Sequence, residues 1–553
     1  MSLVSSSTHV IAVAVGAVAA SFVLYAAASI LRVVYAKWKS PLHDLRGPPS
    51  ISWVTGSVKG VMEVDAPETF ASWTREYGPT LRFKSFGNMN KLLTVDLKAI
   101  NHVLTHSMEF YKSDQVRFVL HELLGDGLLA VEGPQHRLQR KMLSPAFGTQ
   151  QIRSFTKVFF DKSLELRDVL LAKTAAEAPK NGEIKVDIFD WLSRVSLDII
   201  GLTGFDYAFD SLTVPEDQPN ELYEAVRDMM AVDNFNIVFI LSTVFPPVRL
   251  IPSERSRVIA KSYATIRRVC GQVVAERKAA VIANLGGLEK GVEKSSIEGR
   301  DLMSLLIKAN LAVDVAENAR LSDDDLISQI PTLILAGHET TSTSLSWTLL
   351  ALCRNMKAQD KLRAELCAFP TDTPTMEELN AFPYLDAVVR EALRLHNPVS
   401  ATERVAVADS VIPADEYVDK HGNVRHEILL NKGDTVFIPI YQIHTSTELW
   451  GDDAKEFKPE RWEHVPEAAK TIPGVYHPLL AFIAGPHACI GYRFSLLEAK
   501  AILFTLIRAF EFDMAVPDEK VVRRTMVVGR PHFADDMDAG PQLPLLIRPV
   551  RSG

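Results

Sequence analysis

The sequence predicts a mainly helical protein with a small β region, tethered at its N-terminal end by one membrane-spanning helix. Three observations lead there. Residues 10–31 form a run of 22 without a charge, long enough for a helix to cross a bilayer. Most of the chain beyond has the i, i+3, i+4 apolar spacing of helices, with few strand signals. The longest such stretch opens at the cap Leu321-Ser322-Asp-Asp-Asp and continues to about Leu366, with a break near Asn355.

The elements follow in order. Arg32, Lys37, Lys39 and Arg46 come after the apolar run, whereas only His9 and the amino terminus precede it. The positive-inside rule then places the body in the cytosol and residues 1–9 in the lumen. A cleaved signal peptide would need a positive n-region before a shorter apolar core, and the sequence has neither. Residues 10–31 are therefore expected to be an uncleaved signal anchor. Pro41, Gly47, Pro48 and Pro49 make residues 32–50 a basic, stiff hinge, and residues 51–553 form one globular body. Thr80–Phe86 and Lys91–Val95 predict a short hairpin. Gly133 to Lys141 opens a basic helix on which His136 and Arg140 share a face. Leu197–Asp210, with small and aromatic residues, suits helix packing. Ile237–Phe245 is a mostly apolar stretch of nine residues, too short for a span. Leu285–Arg300 predicts an exposed loop, and a helix is expected from Met376 to His396, stopped by Pro398.

Composition narrows the function. Hydrophobic residues are 47% and charged residues 23% of the 553, with a net charge of −8, so a nucleic-acid partner has no electrostatic support. Cys270, Cys353, Cys367 and Cys489 are far apart, which fits neither a disulfide framework nor a zinc site and points to a reducing compartment.

Cys489 lies in Phe482-Ile-Ala-Gly485-Pro-His487-Ala-Cys489-Ile-Gly491, ahead of an amphipathic run from Tyr492 to Phe510. That layout predicts a tight loop feeding a helix start. There a thiolate meets unpaired N–H groups and the positive end of the dipole, which lower its pKa. Phe482 would shield the sulfur, Gly485 would permit the bend, and Gly491 would let a bulky partner approach. One shielded thiolate suits a haem iron, since zinc wants three or four such ligands. Taken alone, Cys489 would read as a buried structural cysteine. The spacing Phe-x-x-Gly-x-x-x-Cys-x-Gly, however, should arise by chance in about one such chain in two thousand.

Within the long helix, Ala336-Gly337-His338-Glu339-Thr340-Thr341 carries a second constellation. Gly337 costs a helix about 1 kcal/mol relative to Ala. The Thr340 hydroxyl can bond back to the Ala336 carbonyl and open the helix into a groove for a diatomic ligand. Glu339 beside it supplies the acid of an acid–alcohol pair that can deliver protons.

The cysteine loop resembles the haem-binding loop of the cytochromes P-450, and the whole pattern is similar to the fungal, microsomal, secondary-metabolism branch of that family. The resemblance implies that Cys489 is the proximal ligand of heme b, with Phe482 and Gly491 beside it. It places His136, Arg140, Arg404 and His487 on the haem propionates. The family usually has arginine where this chain has His487, which predicts a weaker, pH-sensitive contact. Residues 336–341 match the family's oxygen motif, with Glu339 and Thr340 as its catalytic pair, and Glu391, Arg394 and Arg461 match its buried triad.

The fold implied is a single cytochrome P-450-type domain with haem between the long helix and the cysteine loop. The activity implied is that of a haem-thiolate monooxygenase. One atom of O2 enters a C–H bond of a lipophilic small molecule, terpenoid or fatty acyl, and the other leaves as water. Electrons would come from NADPH through a separate NADPH–cytochrome P-450 reductase at the endoplasmic reticulum membrane, with His487, Arg493 and Lys500 facing that partner and the chain a monomer. The substrate lining is expected from Phe110–Leu129, Ile330–Thr341, Val399–Thr402 and Thr525–Pro531, with Arg117, His121 and Arg524 as polar anchors. Ile237–Phe245 falls where the family has a membrane-dipping lid, and also reads as core. Two other readings are an O2-independent haem isomerase or dehydratase, against which the Glu339–Thr340 pair argues, and a non-catalytic haem-binding membrane protein, which would not need that pair.

Overall fold

A computed structural model describes residues 40–53, 55–57, 66–177, 182–214, 220–231, 248, 252–284, 301–311, 320–525 and 527–550, with scattered positions between 16 and 39. The expected anchor 10–31, apart from those positions, the segment Ile237–Phe245 and the whole of the expected loop Leu285–Arg300 lie outside the described residues. Among the described residues no helix is long and apolar enough to cross a membrane. The chain divides into two compact units, one of Met1–Ala99, Val232–Arg257 and Glu403–Phe437, the other of Ile100–Ala231, Val258–Thr402 and Ile438–Gly553.

The first unit carries most of the β structure. Thr80–Lys84 and Asn90–Thr94 pair antiparallel, as the sequence predicts, with Leu81 opposite Leu93. Asn90–Thr94 then pairs parallel with Thr435–Ile438, which borders Thr402–Ala406. Phe70 and Trp73 of the helix Ala66–Tyr77 pack their rings on Phe83 and Phe437, centroids 5.1–6.2 Å apart. Residues 40–50 are not a free-standing hinge. Leu42 and Leu45 are buried, the Arg46 carbonyl accepts from the Arg82 N–H at 2.9 Å, and a Cβ on Gly47 would fall 1.8 Å from the Arg82 oxygen. Strand backbone lies against that segment, so proline and glycine there serve docking as much as stiffness.

The second unit is mainly helical. A capping box of Ser322 and Asp325 opens the helix Asp323–Ile334. A five-residue π-helical turn, Leu335–Glu339, follows, and Thr340–Arg354 continues the helix to a break at Asn355, φ −134°. These form the central helix. It packs on the helix Ile188–Phe205, where a Cβ on Gly337 would come within 3.0 Å of Ile200. Close helix approach is thus what offsets the glycine. The helix Ile188–Phe205 ends at left-handed Asp206, so Leu197–Asp210 is a helix end plus a returning loop. The loop lies on Gly201, whose Cβ would meet the Tyr207 oxygen at 2.5 Å.

The helix expected over Met376–His396 is two, Met376–Asn380 and Pro383–Leu395. Phe382 is extended because the residue before a proline is driven out of the helical region. The second piece carries the triad. Glu391 and Arg394 are fully buried and doubly bonded, at 2.8 and 2.9 Å. Arg461 Nε lies 3.4 Å from Glu391, and the indole of Trp462 donates to it at 3.1 Å. Arg394 donates further to the carbonyls of His444, Ala454 and Glu456. A buried charge pair this well satisfied is fixed in place, because removing one partner costs about 3–5 kcal/mol.

Candidate active site

The cysteine loop is built by backbone constraint. Gly485 has φ +70°, and a Cβ there would fall 2.1 Å from the Leu104 oxygen; both facts demand glycine. Ile483 also sits at positive φ, 59°. A β-branched residue there stores about 1–3 kcal/mol of strain, and its carbonyl accepts from the Val475 N–H at 3.0 Å. The Cys489 N–H donates to the Phe482 oxygen at 2.9 Å, and Arg140 of the basic helix Gly133–Leu143 donates to the Ala488 oxygen. The helix Tyr492–Ala509 begins right after Gly491. Phe482 stands in an aromatic row, its centroid 5.9 Å from Tyr476 and 6.1 Å from Tyr492.

The expectation of a depressed thiol pKa is corrected. Cys489 is accessible, yet protein surrounds its thiol closely. Burial raises its pKa, against the Gly491 N–H and the Arg140 charge, which lower it. The helix start helps, but desolvation outweighs it. Cys270 and Cys353 are buried with thiols pushed up to about 12 by burial, Cys353 also by Asp513, and neither lies in such a loop.

Beside the loop, His136 and His487 stack at 3.9 Å with rings 23° apart. His487 lies 3.2 Å from Glu132, whose other oxygen takes Lys112 at 2.8 Å. Burial pushes His136 down to about 3, with the His487 charge adding to it. Burial would raise Glu132, but the contacts from His487 and Lys112 hold it at about 2. His487 thus already has an internal acid as partner. A cavity of about 320 Å3 is lined by His136, Arg137, Arg140, Lys141, Gly485 and His487, a donor set suited to an anionic, carboxylate-bearing group. At Gly491 a Cβ would meet only Phe147, at an ordinary 3.6 Å, so no protein atom accounts for glycine there. A lone thiol, cations for propionates and an unexplained glycine together fit a haem. Cys489 would hold its iron, and His136 and Arg140 its carboxylates.

At residues 336–341 the back-bond expected from the sequence is present. The Thr340 hydroxyl donates to the Ala336 carbonyl at 2.6 Å, and the π-helical turn opens there. Ala336 is exposed, next to buried Leu335 and half-buried Gly337. Three features were not legible beforehand. Arg530 Nη2 lies 2.5 Å from both oxygens of Glu339. His338 is buried, pushed down to about 4 by burial, and neither ring nitrogen has a hydrogen-bond partner among the described residues. Burial pushes Glu498, on the helix Tyr492–Ala509, up to about 8 against the hydroxyls of Ser196 and Thr341, although its Oε1 has no partner within hydrogen-bonding reach. For Arg530 the available signal was its place in a segment read as apolar lining.

Other expectations need correction. Lys500 is buried on Asp386 at 2.8 Å and Asn380 at 3.0 Å, and His487 is buried on Glu132; neither can meet a partner protein. Arg493 is exposed and lies over the Tyr492 ring at 4.6 Å. Arg404 belongs to the first unit, where its Nη1 donates to the Glu403 carbonyl at 2.8 Å. Arg117 is held by Asp114 and His121 by Asp126 at 2.8 Å, so both are already partnered; Arg524 is exposed. A larger cavity of about 1180 Å3, lined by Tyr384, Arg390, Trp462, Arg493 and Lys500, includes none of Cys489, Glu339 and Thr340, so it is not where the chemistry lies.

This combination of cysteine loop, buried triad and opened central helix defines a haem-thiolate protein. The family model for Cytochrome P450 matches residues 46–532. Cytochrome P450 monooxygenase 205 of Postia placenta is 48% identical over 517 residues, 93% of this chain and 94% of the relative. Cytochrome P450 monooxygenase 128 of the same fungus is 43% identical over 552 residues, 99% of each. Cytochrome P450 monooxygenase claW of Ampulloclitocybe clavipes is 35% identical over 537 residues, 96% of each. The chain belongs to the cytochrome P450 family, and its class is that of oxidoreductases that incorporate oxygen.

The two glycines of the loop should separate folding from haem uptake. Gly485→Ala is expected to lower protein stability by about 1–3 kcal/mol, measured by denaturant unfolding. Gly491→Ala should leave the apoprotein's unfolding midpoint unchanged and reduce the haem bound per chain. Full haem content in Gly491→Ala would contradict the fit.

Proposed function

We propose that this chain is a microsomal monooxygenase that inserts one oxygen atom of O2 into a C–H bond of a lipophilic small molecule, with electrons from NADPH through a separate NADPH–cytochrome P-450 reductase. The observation that carries the reading is the Thr340 hydroxyl on the Ala336 carbonyl, 2.6 Å long, across the π-helical turn. When bound, haem supplies the redox chemistry and, through the thiolate, the electron donation that favours O–O cleavage.

The residues do the rest. Thr340, with its own proton engaged by Ala336, keeps its oxygen lone pairs free to accept a hydrogen bond from a neighbouring acid or water. Glu339 is that acid. Gly337 lets the helix widen there without losing its packing on Ile200. Cys489 is held by its backbone, so the sulfur stays directed while the surroundings change. The intact Glu339–Thr340 pair counts against an O2-independent isomerase or dehydratase, because such chemistry needs no proton delivery to oxygen.

A terpenoid-like substrate, with a fatty acyl compound second, rests on the resemblance to the fungal secondary-metabolism branch and on largely apolar lining segments. Exposed Arg493 is the basic residue left for an acidic reductase. Residues 10–31 anchor the chain in the endoplasmic reticulum membrane with the body cytosolic, supported by the charge asymmetry around that run.

Thr340→Ala should cut product formed per NADPH by about 10²–10⁴-fold at most, the range for such proton transfer, while haem content stays. NADPH consumption continues with its electrons diverted to peroxide. Full coupling in Thr340→Ala would move the isomerase reading ahead. For the anchor, protease added to intact microsomes should digest the body and spare residues 10–31. A protected body, or a mature N-terminus beyond residue 31, would overturn the topology.

A further inference from the structure

Two histidines outside the haem site sit one helical turn apart. His102 lies in the last turn of the helix Leu97–Thr105. The His106 backbone N–H still donates to the His102 carbonyl at 3.1 Å, so the pair keeps i, i+4 spacing and shares a face. Their rings stack with centroids 3.9 Å apart and planes 23° from parallel. Fully buried Phe110 backs the His102 ring edge-on at 6.1 Å, and His106 is exposed. His106 Nδ1 lies 2.8 Å from the same His102 carbonyl. A carbonyl oxygen only accepts, so Nδ1 carries the proton and Nε2 keeps its lone pair. Metal-binding histidines have their tautomer and ring orientation fixed by this kind of bond.

A cationic ring in a last helical turn is favoured by the helix dipole. That accounts for one histidine but not for two face to face, since two imidazolium ions would repel. Burial, and then the charge of His106, lower the pKa of His102 against Glu109, which raises it. The pair is therefore set up as neutral rings with a carboxylate nearby.

We propose that His102 and His106 bind a divalent transition ion of the zinc class, and that the ion clamps the helix end on which the cysteine loop rests. Imidazole suits zinc, whereas magnesium and calcium take oxygen ligands. A tetrahedral zinc with Zn–N of about 2.0–2.1 Å spans nitrogens about 3.3–3.4 Å apart, so the stacked rings need only tilt toward each other. Among the described residues no set of three His, Cys, Asp or Glu side chains forms a metal cluster, so water completes the coordination.

The position of the pair gives the clamp its consequence. Leu104 and Thr105 lie between the two histidines. A Cβ on Gly485 would fall 2.1 Å from the Leu104 oxygen and 3.1 Å from the Thr105 Cα. Ser107 and Met108, directly after His106, line the cavity shared by His136, Arg140 and His487. An ion joining residues 102 and 106 holds that last turn closed. Because it binds the closed form, it opposes the loosening of loop and cavity wall through which haem would leave.

Zinc uptake by the tag-free, full-length holoprotein, measured by equilibrium dialysis and metal analysis, tests the site. His106→Gln and His102→Gln should each hold one zinc per chain fewer than wild type. Transfer of haem to excess apomyoglobin should slow when zinc is added to wild type, and should not respond to zinc in either variant. Magnesium should leave the wild-type transfer rate unchanged. Equal zinc content in wild type and both variants overturns the site. Loss of the equivalent without any zinc effect on haem transfer overturns the clamp. Neither readout uses turnover, so both stand apart from failure of the monooxygenase reading. His106 is exposed, so His106→Gln keeps the test open if His102→Gln does not fold.

Discussion

Every feature of the candidate site depends on the backbone pinning of the cysteine loop. Gly485 fits against the Leu104 carbonyl where no side chain could, Cys489 closes the loop on Phe482, and Arg140 reaches in to hold Ala488. Ile483 carries strain at φ 59°, which persists only because these contacts over-determine the loop. A thiol whose pKa is raised by burial is a poor free nucleophile. Held in this way, it suits permanent ligation by a metal, which removes the proton outright.

The rest of the larger unit supports that loop by interactions that tolerate little change. The Glu391–Arg394–Arg461 cluster spends its donors on carbonyls at 444, 454 and 456, tying the helix Pro383–Leu395 to the coil that leads into the loop. The central helix gives up regular hydrogen bonding at Leu335–Glu339, and the Thr340 hydroxyl satisfies the carbonyl this frees. Proton delivery is thereby placed on the stretch of helix whose backbone is already open.

Local signals made much of this legible in sequence. The cap at Ser322, the break at Asn355, the bend at Gly485 and the back-bond of Thr340 each involve residues within a few positions, where turn and cap chemistry act. What escaped was long-range pairing. Arg530 meets Glu339 across 191 residues, and Lys500 meets Asn380 across 120. A sequence shows such charges but not which ones fold together, so Lys500 read as exposed while it is an internal strut. His487 was legible as a departure from the usual arginine, yet its pairing with Glu132 was not. The split at Phe382 was within reach, because Pro383 excludes a helical residue before it.

The central claim is that Cys489 is the proximal thiolate of a haem. The most direct measurement is the carbon monoxide difference spectrum of the reduced protein beside that of Cys489→His. The account predicts the red-shifted Soret band of thiolate-ligated haem in the first and its loss in the second. A Cys489→His protein that keeps the red-shifted band would contradict it.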